Sequence, residues 1–168
     1  MAPRLPGSWP SDAGGTRLHL THAFSEPGAC EAHVQGWRYQ LAVFANAVAD
    51  VLNAGAADRV DAWFAAWQLD DDAARSRALA AVASPAVSFR DRFSLVDGID
   101  DLVPHVAAAR RFMPGVLIAR SGGLRHCQGM VLADWTATGG DGQPRGSGTN
   151  VFELDAQGRI TRVTGFWS

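Results

Sequence analysis

In VSFRD, residues 87–91, the alternation of a strand sets Val87, Phe89 and Asp91 on one face and Ser88, Arg90 and Arg92 on the other. Asp91 is the odd member of its face. Burial without a partner would raise its pKa and equip it as a general base. The alternative is a carboxylate that accepts hydrogen bonds from a turn or pairs with a neighbouring Arg. Two imidazoles could exchange protons with it near neutral pH. His126 stands at a strand end beside a glycine-containing turn, and His105 at the border of an apolar helical stripe; either could equally be a satisfied structural histidine. Asn150 shares a strand face with Phe152 and Leu154, where an amide can orient a ligand or bond only to backbone. Trp63, Trp67, Phe89, Trp135, Phe152, Phe166 and Trp167 would supply an aromatic pocket wall, or ordinary core. Such a set suits acid–base chemistry on a small hydrophobic molecule, with no cofactor.

Other chemistries lack their residues. In THAFSEPGACEAHVQGW, residues 21–37, His22 and His33 are eleven apart across a strand-to-helix turn, which is no common zinc spacing. Asp70, Asp71 and Asp72 precede a helix and read as a solvated N-terminal cap rather than a calcium or magnesium site. Cys30 and Cys127 make neither a zinc pattern nor a disulfide framework. There is no nucleophile elbow, phosphate loop or metal quartet, so no metal is expected. All fifteen basic residues are Arg, yet the formal net charge is −2, which gives no electrostatic case for nucleic acid. No apolar run approaches the length of a membrane span, and the N-terminus has no secretory h-region. A cytoplasmic setting with reduced cysteines is the expectation.

These residues need elements to hold them. Residues 1–15, with three Pro and three Gly, read as an irregular lead-in. TRLHLTHAF then alternates as a half-buried strand. Trp37, Leu41, Phe44, Val48 and Val51 recur at steps of three and four as one helical stripe, which Asn53-Ala54-Gly55 ends. Asp58 is placed to cap a helix carrying Val60, Trp63, Phe64 and Trp67. A short helix follows the three aspartates until Ser84-Pro85 stops it. VSFRDRFSLV gives one or two strands. Gly98 opens a helix with Ile99, Leu102, Val103 and Val106, in which Pro104 predicts a late start or a kink. Thereafter VLIARS, LRHCQ, MVLADWTAT, GTNVFEL and RITRVTGFW are strands, with GGDGQ and DAQGR as hairpin connections. The class is α+β.

Residues 55–168 resemble the nuclear transport factor 2-like superfamily, in its SnoaL-like branch. The carrying phrases are WFAAW (63–67), SPAVSFRD ending in Asp91, VDGIDDLVPHV, ADWTATGGDG (133–142) and GRITRVTGFW (158–167). The resemblance implies a strongly curved antiparallel sheet wrapped on about three helices as a cone, with an apolar pocket at its open end. It also implies an acid or base in the region of Asp91, as in steroid-isomerase and cyclase relatives. The cone lacks a tyrosine, since the only one is Tyr39, so a steroid-isomerase oxyanion donor or a tyrosine-and-histidine dehydratase site does not carry over. An epoxide-hydrolase-like Asp–Arg–Asp set would have to draw on Arg120 and Asp134. The rival reading is a non-catalytic ligand-binding or dimerisation module on the same fold.

GGTRLHLTHAFSEPGACEAHVQGWRYQLAVFANAVA, within residues 14–50, is similar to the C-terminal end of START-like helix-grip proteins, in the branch of heat-shock-protein ATPase activator homologues. There a last strand of type GTRLxLTH precedes a long helix with a Gly-Trp pair, here Gly36-Trp37. The resemblance implies that residues 1–54 are the tail of a second domain whose other strands would lie upstream of Met1. A lone strand and helix cannot bury both apolar faces themselves. Packing on the cone or across a homodimer is therefore expected.

Overall fold

The computed structural model describes residues 11–12 and 15–168. Most of the lead-in read at residues 1–15 lies outside them. The chain divides into two compact units, one ending at Ala45 and one running Asn46–Ser168, the division falling inside a long helix.

In the first unit, β1 (Ser11–Asp12) pairs antiparallel with β2 (Gly15–Thr16). The alternating stretch beyond it, residues 17–24, forms no ladder, in contrast to the expected strand. Alternation favours extended backbone, but a strand also needs a neighbour for its N–H and C=O groups. Helix α1 (Pro27–Leu52) begins with proline, which is at no disadvantage in a first turn whose amides lack helical partners. His22, Phe24, His33 and Trp37 form a ring cluster, with centroids 4.0 Å apart for His22–Phe24 and 4.8 Å for Phe24–His33. Trp37 Nε1 donates to His22 Nδ1 at 3.1 Å, and the His33 ring bonds the Ala29 carbonyl at 2.7 Å. The histidines of residues 21–37 thus serve side-chain packing. Among the described residues no group of three His, Cys, Asp or Glu side chains is placed to hold a metal, and both thiols are free.

The second unit continues with α2 (Ala56–Ala66), α3 (Asp72–Val82), β3 (Ala83–Arg90), β4 (Leu95–Asp97), α4 (Ile99–Phe112), β5 (Leu117–Cys127), β6 (Met130–Thr138), β7 (Pro144–Leu154) and β8 (Ile160–Trp167). Gly55, not Asp58, stands at the N-cap of α2, and Asp58 lies in its first turn. Asp71 caps α3 through its side chain, accepting from the Ala74 amide at 2.7 Å. Asp70 bonds Arg110 of α4 at 2.5 Å, and Asp72 pairs with the buried Arg75, which also closes onto the Leu69 carbonyl. The three aspartates are thus divided among a cap and two ion pairs. Pro104 sits inside α4 without delaying its start.

The sheet is open, in the order β4-β3-β8-β7-β6-β5. Four strands form an antiparallel meander, but β3 pairs with β8 in parallel, so the sheet is mixed rather than wholly antiparallel. That pairing is irregular between Ala83 and Ser88, where Pro85 has no N–H to give the ladder. VLIARS and LRHCQ are one strand, interrupted by a register shift between Ser121 and Leu124. Such bulges bend and twist a strand, turning the sheet's inner face toward the helices. Along β6, Val131, Ala133, Trp135 and Ala137 are buried in strict alternation. With Val60, Trp63, Phe64, Leu79, Leu102, Val106, Phe152, Ile160 and Val163 they make the core, each large side chain contributing roughly 1.5–3 kcal/mol of burial.

One backbone position controls this face. A Cβ at Gly148 would lie 2.0 Å from the Phe166 carbonyl oxygen and 2.7 Å from the Trp135 ring, so a side chain there would force β8 and the indole apart. Gly148→Ala is expected to destabilise the fold by at least about 2 kcal/mol. Gly123→Ala, with nothing within 4 Å, should change stability by no more than about 0.5 kcal/mol. Urea titration followed by tryptophan fluorescence checks both.

Candidate functional site

β3 buries Val87 and Phe89 and ends one residue before Asp91, which keeps the same face. The chain then turns. The Asp91 amide donates to the Ser94 carbonyl at 3.0 Å, and Asp91 Oδ1 accepts the Phe93 amide at 2.8 Å. Asp91 Oδ2 accepts Nε1–H of Trp167, from β8, at 3.2 Å. Of the two readings of Asp91, an unpartnered carboxylate or one that accepts hydrogen bonds from a turn, the structure has the second, and both oxygens are held. Two strands away, Asn150 is buried with its Oδ1 accepting Nε1–H of Trp135 at 3.0 Å. Indole can only donate, so this contact fixes the amide orientation and makes Nδ2 its outward donor. Gly165 lies between the two polar groups. It pairs with Asn150, and a Cβ there would meet Asn150 Oδ1 at 3.0 Å and Asp91 Cβ at 3.3 Å.

These groups line a cavity of about 380 Å³, within the range of small-molecule sites. Its opposite wall comes from Trp63, Phe64 and Trp67 beside α2's end and from His105, Ala108, Ala109 and Phe112 of α4. His105 packs its ring against Trp67 and Phe89, with centroids 6.1 and 5.7 Å away. Trp135 and Trp167 meet edge to face at 4.9 Å over Gly148. Among the described residues Asp91 is the one carboxylate in the wall, and no Arg lines it. Trp67 Nε1 is buried with no partner among the described residues, a donor that a ligand oxygen or an ordered water would satisfy.

Asp91, His105, Trp63, Trp67, Phe89, Trp135, Asn150 and Trp167 are thus brought together. Three sequence candidates are not. His126 lies eight residues beyond the cavity-lining Ile118, roughly 25 Å farther along β5. Its Nδ1 contacts Asp50 at 2.8 Å and its Nε2 accepts the Gly129 amide at 3.1 Å, so both ring nitrogens are occupied. Phe152 is fully buried against Trp63 and Phe64, in the core rather than the wall. Phe166 is 57% exposed, because neighbours in a strand face opposite ways and Trp167 takes the inner side. Sequence reasoning missed Phe93, Ser94, Phe112, Met113, Ile118 and Gly165. Met113 could have been found by extending the α4 stripe; nothing local marks Phe112, which is largely exposed, or Gly165.

Arg120 and Asp134 form no Asp–Arg–Asp set in the cavity. Arg120 makes a two-pronged contact with Asp61 of α2, both bonds 2.7 Å, and Asp134 accepts from Thr149 at 2.5 Å.

No protein-family model matches the sequence, and no curated protein matches it. Solved structures do. A candidate isomerase of the SnoaL-like family from Agrobacterium tumefaciens superposes with a TM-score of 0.63 at 23% identity, covering 66% of this chain and 95% of its own. The fold is SnoaL-like. An NTF2-like protein of unknown function from Exiguobacterium aligns at TM-score 0.51 and 19% identity, over 66% of this chain and 96% of that one. A candidate polyketide cyclase from Sinorhizobium meliloti aligns at 0.50 and 20%, over 65% and 94%. At these identities the likeness establishes the SnoaL-like fold alone.

The Asp61–Arg120 pair ties α2 to β5 behind this cavity. The hydrogen bond from Arg120 holds the Asp61 carboxyl below its usual range, outweighing the opposing effect of burial. A depressed carboxylate adds stability above its unfolded pKa and loses it as pH falls through the folded value. Asp61→Asn should therefore be less stable than the parent at pH 7, by no more than about 1 kcal/mol given its exposure. The gap should close as pH falls below about 4, the unfolded carboxylate value. Urea midpoints measured from pH 7 down to pH 2 test this.

Proposed function

We propose that this chain is a small-molecule pocket protein of the SnoaL-like type, taking a small hydrophobic molecule and performing cofactor-independent acid–base chemistry on it. The observation that carries the reading is the pairing of Asp91 and Asn150 on either side of Gly165, two polar groups in an otherwise aromatic wall. Asp91 is the base. Its two N–H partners orient the carboxylate and leave further lone pairs to take a proton. His105, on the opposite helix, is the proton partner. Asn150 Nδ2 and the unpartnered Trp67 Nε1 are donors for a ligand oxygen, and Trp63 with Trp135 sets the plane of the bound body. Isomerisation, cyclisation, dehydration and hydrolysis all fall in this class. The activities named for two fold neighbours, isomerase and polyketide cyclase, are compatible with it.

The second reading is passive binding or dimerisation, favoured by the engagement of both Asp91 oxygens in the resting site. A homodimer in a cytoplasmic setting belongs to either reading. Among the described residues no helix is long and apolar enough to cross a membrane.

Native mass spectrometry of the full-length chain should reveal a co-purified molecule of defined mass. Asp91→Asn should then lower its turnover by about 10²–10⁴-fold while leaving affinity within a few fold. Full turnover in that variant removes Asp91 from the chemistry; binding with no turnover by the parent protein supports the passive reading. Ala109→Trp, which fills the cavity from α4, should weaken binding of the neutral probe N-phenyl-1-naphthylamine at least about tenfold. Unchanged probe affinity would place the binding site elsewhere.

A further inference from the structure

The charge census of the cavity points beyond hydrophobicity. Among the described residues no Arg lines it, whereas the carboxylate of Asp91 does. That carboxylate is oriented by two neutral donors, the Phe93 amide and the Trp167 indole, and neither cancels its charge. Among the described residues Asp91 is in no ion pair. The rings of Trp67, Phe89, Phe93, Trp135 and Trp167 line the cavity with it. Aromatic faces carry negative potential and attract cations within about 6 Å of the ring centre, most strongly where water is excluded. Donation of the indole N–H to a carboxylate pushes electron density into the Trp167 ring, and the Trp135–Asn150 bond acts in the same sense.

The rim already shows this attraction at work. The Arg92 guanidinium lies 5.1 Å from the centroid of the Phe93 ring, and Phe93 packs edge to face on Trp167 at 5.5 Å. Arg92 is exposed and outside the lining, so its charge is screened by water. Among the described residues, one carboxylate, one imidazole and aromatic surface line the cavity.

We infer that the cavity selects an apolar body bearing an organic cation, a tertiary or quaternary amine, with the cationic centre seated between the Asp91 carboxylate and the Trp135, Trp167 and Phe93 rings. This rests on the pocket reading above and adds the ligand's charge to it. An anionic ligand of the same shape would meet the carboxylate with no Arg among the described residues of the wall to receive it, and is rejected.

The test uses the full-length chain and displacement of N-phenyl-1-naphthylamine by three ligands of one shape: benzyltrimethylammonium, the uncharged isostere neopentylbenzene, and phenylmethanesulfonate. The cation should compete at least about tenfold more strongly than its neutral isostere, with the sulfonate weakest. Asp91→Asn should bring cation and isostere within about threefold of each other without weakening the isostere. Phe93→Leu, an exposed rim position, should cost the cation about threefold and the isostere nothing. Equal or tighter binding of neopentylbenzene by the parent protein overturns the cation inference and leaves the pocket reading standing. If the parent protein does not bind the naphthylamine at all, the pocket reading itself fails.

Discussion

The bare backbone at Gly148 is the constraint from which the site follows. Because residue 148 has no side chain, the Trp135 ring of β6 can cross β7 and meet the Trp167 ring of β8 above it. The approach is too close for any Cβ, given the 2.0 Å it would leave to the Phe166 carbonyl. Once the two indoles are so placed, their N–H groups have few choices. A buried indole donor without an acceptor loses about 1–3 kcal/mol of hydration. Trp135 finds Asn150, and Trp167 finds Asp91. A glycine in the middle of one strand thus fixes the polar atoms of the cavity on the strands around it. Gly165 repeats the device two ladder positions away, leaving open the space into which Asn150 and Asp91 turn.

This dependence explains which parts of the site were legible in the sequence. Alternation is local, so the inward placement of Phe89, Asp91, Asn150 and Trp135 could be read from each strand by itself. What Asp91 would meet there could not, because Trp167 lies 76 residues away and reaches it only through the parallel β3–β8 pairing. That pairing is set by tertiary topology and has no signature in either strand. Phe166 was an error that alternation should have prevented, since it and Trp167 cannot both face inward. His126 failed for a different reason: a strand carries many inward positions, and only those near one end of the sheet border the cavity. The stretch at residues 17–24 had the right period yet forms no ladder, and period alone does not make one.

The α4 wall was partly legible. Leu102 and Val106 mark its buried stripe, and the same stripe continued reaches Ala109 and, at the helix end, Met113. Phe112 lies to one side, seven residues after His105, and is largely exposed. The two alanines matter as much as the rings. Small residues at 108 and 109 leave the volume that Trp67, Phe89 and Trp135 then surround. The ion pairs, by contrast, lie outside the cavity: Asp70 with Arg110, Asp61 with Arg120 and His126 with Asp50. These charges join elements, whereas among the described residues the one carboxylate that lines the cavity is Asp91.

That exception separates what the fold supplies from what this chain adds. A SnoaL-like fold accounts for a sheet packed on helices. It does not explain a single carboxylate locked by two N–H donors in a wall without arginine, in a chain that has fifteen. Holding the carboxylate by neutral donors has one physical consequence that an Arg partner would abolish. Its charge and remaining lone pairs stay available to whatever enters, as base, as counter-ion, or as both in succession. A cationic centre beside Asp91 would be attracted by the carboxylate before any proton moves. Protonating the carboxylate would then remove that attraction, so binding and proton transfer at this one residue are coupled by its charge.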